Sequence, residues 1–303
     1  MSGAPETLRG RRVLVTGARG FLGSHLMPAL AAEGAAAVAF QGDITDAAAV
    51  EAAVSGVRPE VVFHLAAYGT TPIQRDDARI RDVNVGGLER LWNALDRHPC
   101  RLVQTGTCGE YGPARGPLAE DHPCRPANAY TQSVHEAVLL SLDRARRTGR
   151  DVVILRPFGP FGPGDRPERL VPHVISGLLS GGRVAVTPGE QRRDYSYVSD
   201  HMRAFVLAAT ARLDVMPAVF NIGSGTPIRV RALVELIAAL VAPDALARVD
   251  FGAVPARPSD MDDMFADPGA ARHALGYAPR VPLEDGLART IAWRRATRMQ
   301  AAR

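Results

Sequence analysis

Residues Arg12–Gly23 read RVLVTGARGFLG, and this stretch decides the fold. Arg12–Thr16 is a short apolar run rich in β-branched residues, which predicts a buried parallel strand. Gly17-Ala18-Arg19-Gly20-Phe21-Leu22-Gly23 follows with its glycines three apart, and a helical pattern runs from Ser24 to about Glu33. Small residues between a strand and a helix let backbone N–H groups approach a pyrophosphate, whose charge the helix N-terminus favours. The stretch therefore predicts a dinucleotide site built by Gly17, Arg19, Gly20, Phe21, Leu22 and Gly23. An ordinary tight turn is the alternative.

Working outward, Ala36–Phe40, Val61–Leu65, Leu102–Thr105 and Val152–Arg156 read as further strands. Asp46–Val57, Arg79–Arg97 and Ala129–Arg147 read as helices, the first capped by Thr45 or Asp43. Strands alternating with helices at this spacing predict an α/β chain with a Rossmann-type doubly wound parallel sheet. After Pro157 the texture changes. Pro157, Pro160, Pro163, Pro167 and Pro172 lie among glycines and read as loops around a cleft. Ser199–Ala211, Val230–Ala242 and Leu283–Arg295 read as helices, and Val219–Ile222 as a strand. The expected organisation is a nucleotide-binding domain over 1–157, also taking in about 192–224 and 283–298. A smaller substrate-binding lobe, 158–191 and 225–282, is woven into the C-terminal half.

The 303 residues can bury a large core. Hydrophobic residues at 46% and charged residues at 22% fit an ordinary globular protein. The net charge of +4 comes from scattered arginines without a basic stripe between aromatics, which disfavours nucleic acid as a partner. An anionic small molecule suits the bias better. Cys100, Cys108 and Cys124 lack metal-type spacing, so no metal is expected and a reducing cytoplasm is the default. There is no apolar leader and no stretch of membrane length, so no membrane partner is expected. All 36 basic residues are arginine. Asp43 lies where a ribose-binding acid is often found, yet strand two ends at Phe40-Gln41 without a carboxylate. Gly42–Asp46 reads as the exit of another strand. Arg19 suits a 2′-phosphate, so NADP(H) is favoured and NAD(H) possible.

Further motifs follow in order: His64-Leu65-Ala66-Ala67, Asn84-Val85-Gly86-Gly87, Thr105-Gly106-Thr107 before Tyr111-Gly112, and Tyr130. Arg156-Pro157-Phe158, Arg193-Asp194-Tyr195, Asn221-Ile222-Gly223 and Arg257-Pro258 complete the set. The set closely resembles the extended short-chain dehydrogenase/reductases. It is most similar to their nucleotide-sugar epimerase, dehydratase and reductase branch, and the short link after strand two looks like the 4-keto-6-deoxysugar reductases. The resemblance implies that Asp43 and Ile44 neighbour adenine, that Leu65, Ala66 and Ala67 line the cofactor, and that Asn84 sits near it. It makes Thr107 and Tyr130 catalytic, Tyr130 also touching the cofactor, with Pro157 and Phe158 flanking the nicotinamide. Arg193 and Arg257 match arginines on the substrate diphosphate, a task that suits a guanidinium fork. Surface ion pairs are the alternative for both. A homodimer through Arg79–Arg97 and Ala129–Arg147 is implied by analogy.

Three departures matter. Val134 stands where the family has its catalytic lysine, one helical turn after Tyr130. Gly159 stands where many relatives have an asparagine near the sugar phosphate. Cys108-Gly109 occupies the place of the Asp-Glu pair of dehydratases, and Cys108 reads as a packed small residue. An unassisted tyrosine has a pKa of ~10, so about one in a thousand is phenolate at neutrality. That injures proton abstraction from an alcohol more than proton donation to a nascent alkoxide. The expected function is an NAD(P)H-dependent reductase of a 4-keto-6-deoxy sugar nucleotide, with Thr107 and Tyr130 at the ketone oxygen. A ketoreductase of an aromatic polyketide or other natural product is the second reading. A non-catalytic NAD(P)-binding protein is the third.

Overall fold

A computed structural model describes residues 6–71, 73–256 and 263–301. The first half runs β1 (Arg12–Thr16), α1 (Phe21–Ala32), β2 (Ala36–Ala39), α2 (Ala47–Val57), β3 (Val61–His64), α3 (Asp77–Arg81), α4 (Gly87–Leu95) and β4 (Arg101–Thr105). Then come β5 (Gly116–Leu118), α5 (Ala129–Thr148), β6 (Val152–Pro157), β7 (Pro160–Phe161), α6 (Leu170–Leu179), β8 (Val184–Val186), β9 (Arg192–Asp194) and β10 (Ser196–Tyr197). The chain closes with α7 (Val198–Thr210), β11 (Ala218–Ile222), β12 (Pro227–Arg229), α8 (Val230–Val241), β13 (Val249–Phe251), β14 (Asp263–Ala266), α9 (Gly269–Leu275) and α10 (Leu283–Ala301).

Six strands form one parallel sheet in the order β11-β6-β4-β3-β1-β2. Its central strands are mostly apolar because both faces are covered, while edge strand β2 is partly exposed. Side chains alternate between two cores. Val13, Val15, Val61, Phe63, Val103, Val153 and Leu155 face one layer with Leu26, Phe205 and Leu233. Leu14, Val62, Leu102, Val152 and Ile154 face the other with Val54, Trp92 and Val138. The chain leaves β1 toward β2 on one side and returns to β3 on the other. That reversal opens a crevice at the C-terminal ends of β1 and β3, the usual ligand position in such sheets. A second sheet, β12-β9-β14-β5, stands beyond those ends and gathers strands from distant parts of the chain.

Several local expectations need correction. The proline-rich stretch contains α6; Pro172 lies in its first turn, where a missing N–H leaves no hydrogen bond unmade. The helix expected over Arg79–Arg97 is broken by a wide π turn at Asp82–Gly86. The cap of α2 is Asp46, which accepts from the N–H groups of Ala48 (2.9 Å) and Ala49 (3.2 Å). Asp43 instead accepts from Thr45 N–H at 2.9 Å. The Gly42–Asp46 segment is a turn running straight into α2, not the exit of a strand.

Candidate active site

The glycine loop is packed so tightly that its composition is fixed. Gly17 has φ +70, and a β-carbon there would lie 2.5 Å from Ala66 N. A β-carbon on Gly23 would lie 2.2 Å from Gly17 O, so α1 can sit against the loop only with glycine at that position. Gly20 N–H donates to Gly17 O at 2.9 Å. Arg19 is exposed, while Phe21 and Leu22 turn back against the core. The backbone at the start of α1 thus forms the kind of close-approach cradle that a pyrophosphate requires. The β3 exit forms the facing wall. Leu65 and Ala66 are half-buried, Ala67 is exposed, and Ala66 N–H donates to Thr16 Oγ1 at 3.3 Å. Thr16 Oγ1 also meets His64 Nδ1 at 2.8 Å. Burial lowers the His64 pKa to about 4, so this imidazole is a neutral packing group.

Asp43, Ile44 and Asn84, expected near the cofactor, lie at different depths. Asp43 is exposed, its carboxyl held below the usual range first by the Thr45 backbone N–H. Ile44 is buried and lies against Gly87, where a β-carbon would come within 2.9 Å of it. Asn84, in the π turn, is buried and fixed on three sides. It accepts from Tyr68 N–H (2.8 Å) and donates to Tyr68 O (2.9 Å) and Ser133 Oγ (2.8 Å). Ser133 in turn donates to Tyr130 O at 2.8 Å, tying Asn84 to the first turn of α5.

Thr107 and Tyr130 stand on elements that touch. Thr107 caps a short 3₁₀ turn, Cys108–Tyr111, directly after β4. Tyr130 is in the first turn of α5, whose cap Asn128 accepts from Thr131 N–H at 2.9 Å. A β-carbon built on Gly109 would lie 3.5 Å from Thr107 Oγ1 and 2.6 Å from Thr131 Cγ2. Only glycine lets the two elements approach so closely, so a glutamate does not fit at Gly109 without rearrangement. Val134 is buried one turn beyond Tyr130. Burial pushes the Tyr130 phenol up to about 12, opposed by the Arg169 guanidinium. Cys108 is half-exposed, and burial of its thiol group raises it to about 11, so it is a neutral thiol.

Pro157 and Phe158 are buried at the end of β6. Gly159 follows with φ +41, its carbonyl accepting from Ser196 N–H at 3.3 Å. Arg193 lies on β9, and its Nη1 donates to Arg192 O at 2.8 Å. Arg257 lies outside the described residues. Arg193 and Arg169 both act on Cys108 and on Tyr195, whose phenol burial raises to about 12. Tyr130 and Tyr195 are thus half-buried neutral phenols, both under the influence of the Arg169 guanidinium, an environment suited to an anionic substrate.

A buried ionic network behind Thr107 escapes the sequence reading. Glu110 is fully buried and accepts from Thr107 N–H (2.9 Å), Arg156 Nη2 (3.0 Å) and His135 Nδ1 (3.1 Å). Burial raises its carboxyl, but the His135 and Arg156 contacts outweigh it and the pKa falls below the ordinary value. Arg156 also reaches Tyr111 Oη at 3.0 Å, and Tyr111 donates to Asn221 at 2.8 Å. Glu110, Cys124 and His135 bring potential ligand atoms within 4.8 Å of one another. The cation there is Arg156, whose Nη2 also points at Cys124 Sγ across 3.4 Å. The signal in the sequence was the Thr107-x-x-Glu110 spacing of a capping box.

An open parallel sheet with a glycine loop at its switch point defines a Rossmann-type α/β chain. The model of the NAD dependent epimerase/dehydratase family matches residues 13–223, and the chain belongs to that family. It is 31% identical to a dTDP-glucose 4,6-dehydratase of Actinoplanes sp., across 95% of this chain and 98% of that one. A solved UDP-glucose 4-epimerase of Thermotoga maritima, with UDP-glucose, superposes with a TM-score of 0.87 at 29% identity, covering 94% of this chain and 99% of that one. MoeE5 in complex with UDP-glucuronic acid and NAD superposes with a TM-score of 0.83 at 31% identity, covering the same shares. Among the described residues no helix is long and apolar enough to cross a membrane.

Proposed function

We propose that the protein is a reductase that uses a nicotinamide cofactor, NADP(H) in preference to NAD(H), to reduce the ketone of a 4-keto-6-deoxy sugar nucleotide. The observation that carries this reading is Val134, buried one turn from Tyr130 with no cation at that position. A phenol raised to about 12 is a proton donor at neutral pH and a poor base. The bound nicotinamide supplies hydride. The chain's own residues receive the charge that develops on the ketone oxygen. Thr107 and Tyr130 donate hydrogen bonds to it, and Tyr130 releases its proton to complete the alcohol. Gly17, Gly20 and Gly23 leave room for the pyrophosphate, and exposed Arg19 meets the 2′-phosphate. Arg193 holds the substrate diphosphate. Nucleotide sugars bound to relatives support the substrate class. Helices α3, α4 and α5, with Leu139 exposed on α5, form the face for a homodimer.

The glycine at 159 favours a second reading. A glycine cannot make the sugar-phosphate contact of an asparagine, which is compatible with a ketone on an aromatic or other natural-product scaffold.

The test is NADPH consumption with dTDP- and GDP-4-keto-6-deoxysugars beside an aromatic ketone. Turnover of a sugar nucleotide, lost in Tyr130→Phe, is expected. Near-normal turnover by Tyr130→Phe overturns the tyrosine's role. Tight NADPH binding without turnover of any ketone overturns the enzymatic reading.

A further inference from the structure

Glu110 lies one 3₁₀ turn after Thr107 and is shut away from solvent. Its Oε1 accepts the Thr107 N–H at 2.9 Å, while Thr107 Oγ1 accepts the Gly109 N–H at 3.2 Å. The second bond has a chemical consequence. A hydroxyl that accepts from a backbone N–H keeps its own hydrogen to donate. With Gly109 N–H on one lone pair, the Thr107 hydrogen is directed away from the turn. Both bonds depend on the same reciprocal cap, so the carboxylate that closes the cap also aims the hydroxyl.

The carboxylate is itself fixed from two further elements. Arg156 on β6 and His135 on α5 both donate to Oε2, at 3.0 and 3.1 Å. The residue before Thr107 is shaped to admit it: a β-carbon on Gly106 would lie 2.5 Å from Glu110 Oε1. Glycine at that position is explained by the carboxylate, since Gly106 has no positive φ to require it.

We propose that Glu110 is a positioning residue that sets the direction of the Thr107 hydroxyl, held in place by Arg156 and His135. This rests on the reading of Thr107 as a donor to the ketone oxygen. Misplacing a reacting group by about 1 Å costs on the order of 100-fold in rate, so a turn loosened by loss of Glu110 registers in kcat.

The test combines two readouts on the full-length protein. Hydrogen exchange at the Thr107 amide, followed by ¹⁵N NMR, needs no substrate. Turnover of the ketone gives kcat and KM separately. Glu110→Gln keeps one acceptor oxygen for the Thr107 amide but turns an –NH2 group toward the donors Arg156 and His135, so protection of that amide and kcat both fall between the wild type and Glu110→Ala. Glu110→Ala exposes the amide and lowers kcat by about 10–100-fold with KM nearly constant. Gly106→Ala pushes the carboxylate aside while leaving Arg156 a charge partner, and it gives the same loss if Glu110→Ala fails to fold. In a Thr107→Ala background, Glu110→Ala causes no further loss, because the two act through one group. Equal losses from Glu110→Ala in both backgrounds, or unchanged Thr107 exchange in both Glu110→Ala and Gly106→Ala, would overturn the proposal. If the wild type reduces no ketone, the functional reading fails while the exchange data still decide the role of Glu110.

Discussion

A β-carbon built on Gly159 would fall 2.0 Å from the carbonyl oxygen of Asp194. The strand pair β7 and β10 is therefore drawn together at a point where only glycine fits. Gly159→Asn and Gly159→Ala are each expected to lower stability by about 3 kcal/mol or more, since neither clash nor φ can relax without parting the strands. Urea unfolding measures this, and a cost-free alanine would contradict the packing.

Val134→Lys restores a cation one turn from Tyr130. In the wild type, oxidation of the product alcohol should climb about tenfold per pH unit through neutrality, because only phenolate accepts the proton. In the variant, the break in that profile should move down by at least about one unit. The pH dependence of oxidation kcat/KM gives the answer. Superposable profiles would show that position 134 does not control the tyrosine.

Burial depresses His64 to about 4 and His201 to about 3. Both are neutral in the folded protein, whereas the unfolded chain takes up protons below about 6.5. Their contribution is fully present above that value and is lost as pH falls toward the folded pKa values. Stability should drop between pH 6.5 and 5, with a slope approaching about 2.7 kcal/mol per pH unit for two protons. Urea midpoints at pH 7, 6 and 5 test it. His201→Gln should roughly halve the slope, and constant midpoints would contradict the assignment.

Arg193→Ala removes the guanidinium that acts on the Tyr195 phenol and the Cys108 thiol. If it holds the diphosphate, dTDP binding weakens about 10–100-fold, the usual worth of a charge-assisted contact. Calorimetric titration reads this directly, and an unchanged Kd would move the diphosphate elsewhere.

The parallel sheet and its glycine loop were legible because both leave local marks. Continuous apolar strands such as Val13–Val15 alternate between two cores, and Gly17 and Gly23 answer to contacts within a few residues or at the next strand. Helix α6 was hidden by Pro172, which breaks a helix in its interior but not in its first turn. The π turn depends on Asn84 reaching Tyr68 and Ser133, which lie far apart in sequence. Glu110, His135 and Arg156 look like three ordinary charges along the chain and become one unit only after β4, α5 and β6 pack together. Packing set by local backbone geometry was readable, and the Glu110 network, made by side chains converging from separate elements, was not.

The measurement closest to the core of the account is the ionisation of Tyr130. With ¹³Cζ-tyrosine label, the resonance absent from Tyr130→Phe identifies the ring. The account predicts that it keeps the chemical shift of a neutral phenol from pH 6 through pH 10, in line with a pKa raised to about 12 by burial. A Tyr130 signal that moves to the phenolate position near neutrality would contradict it.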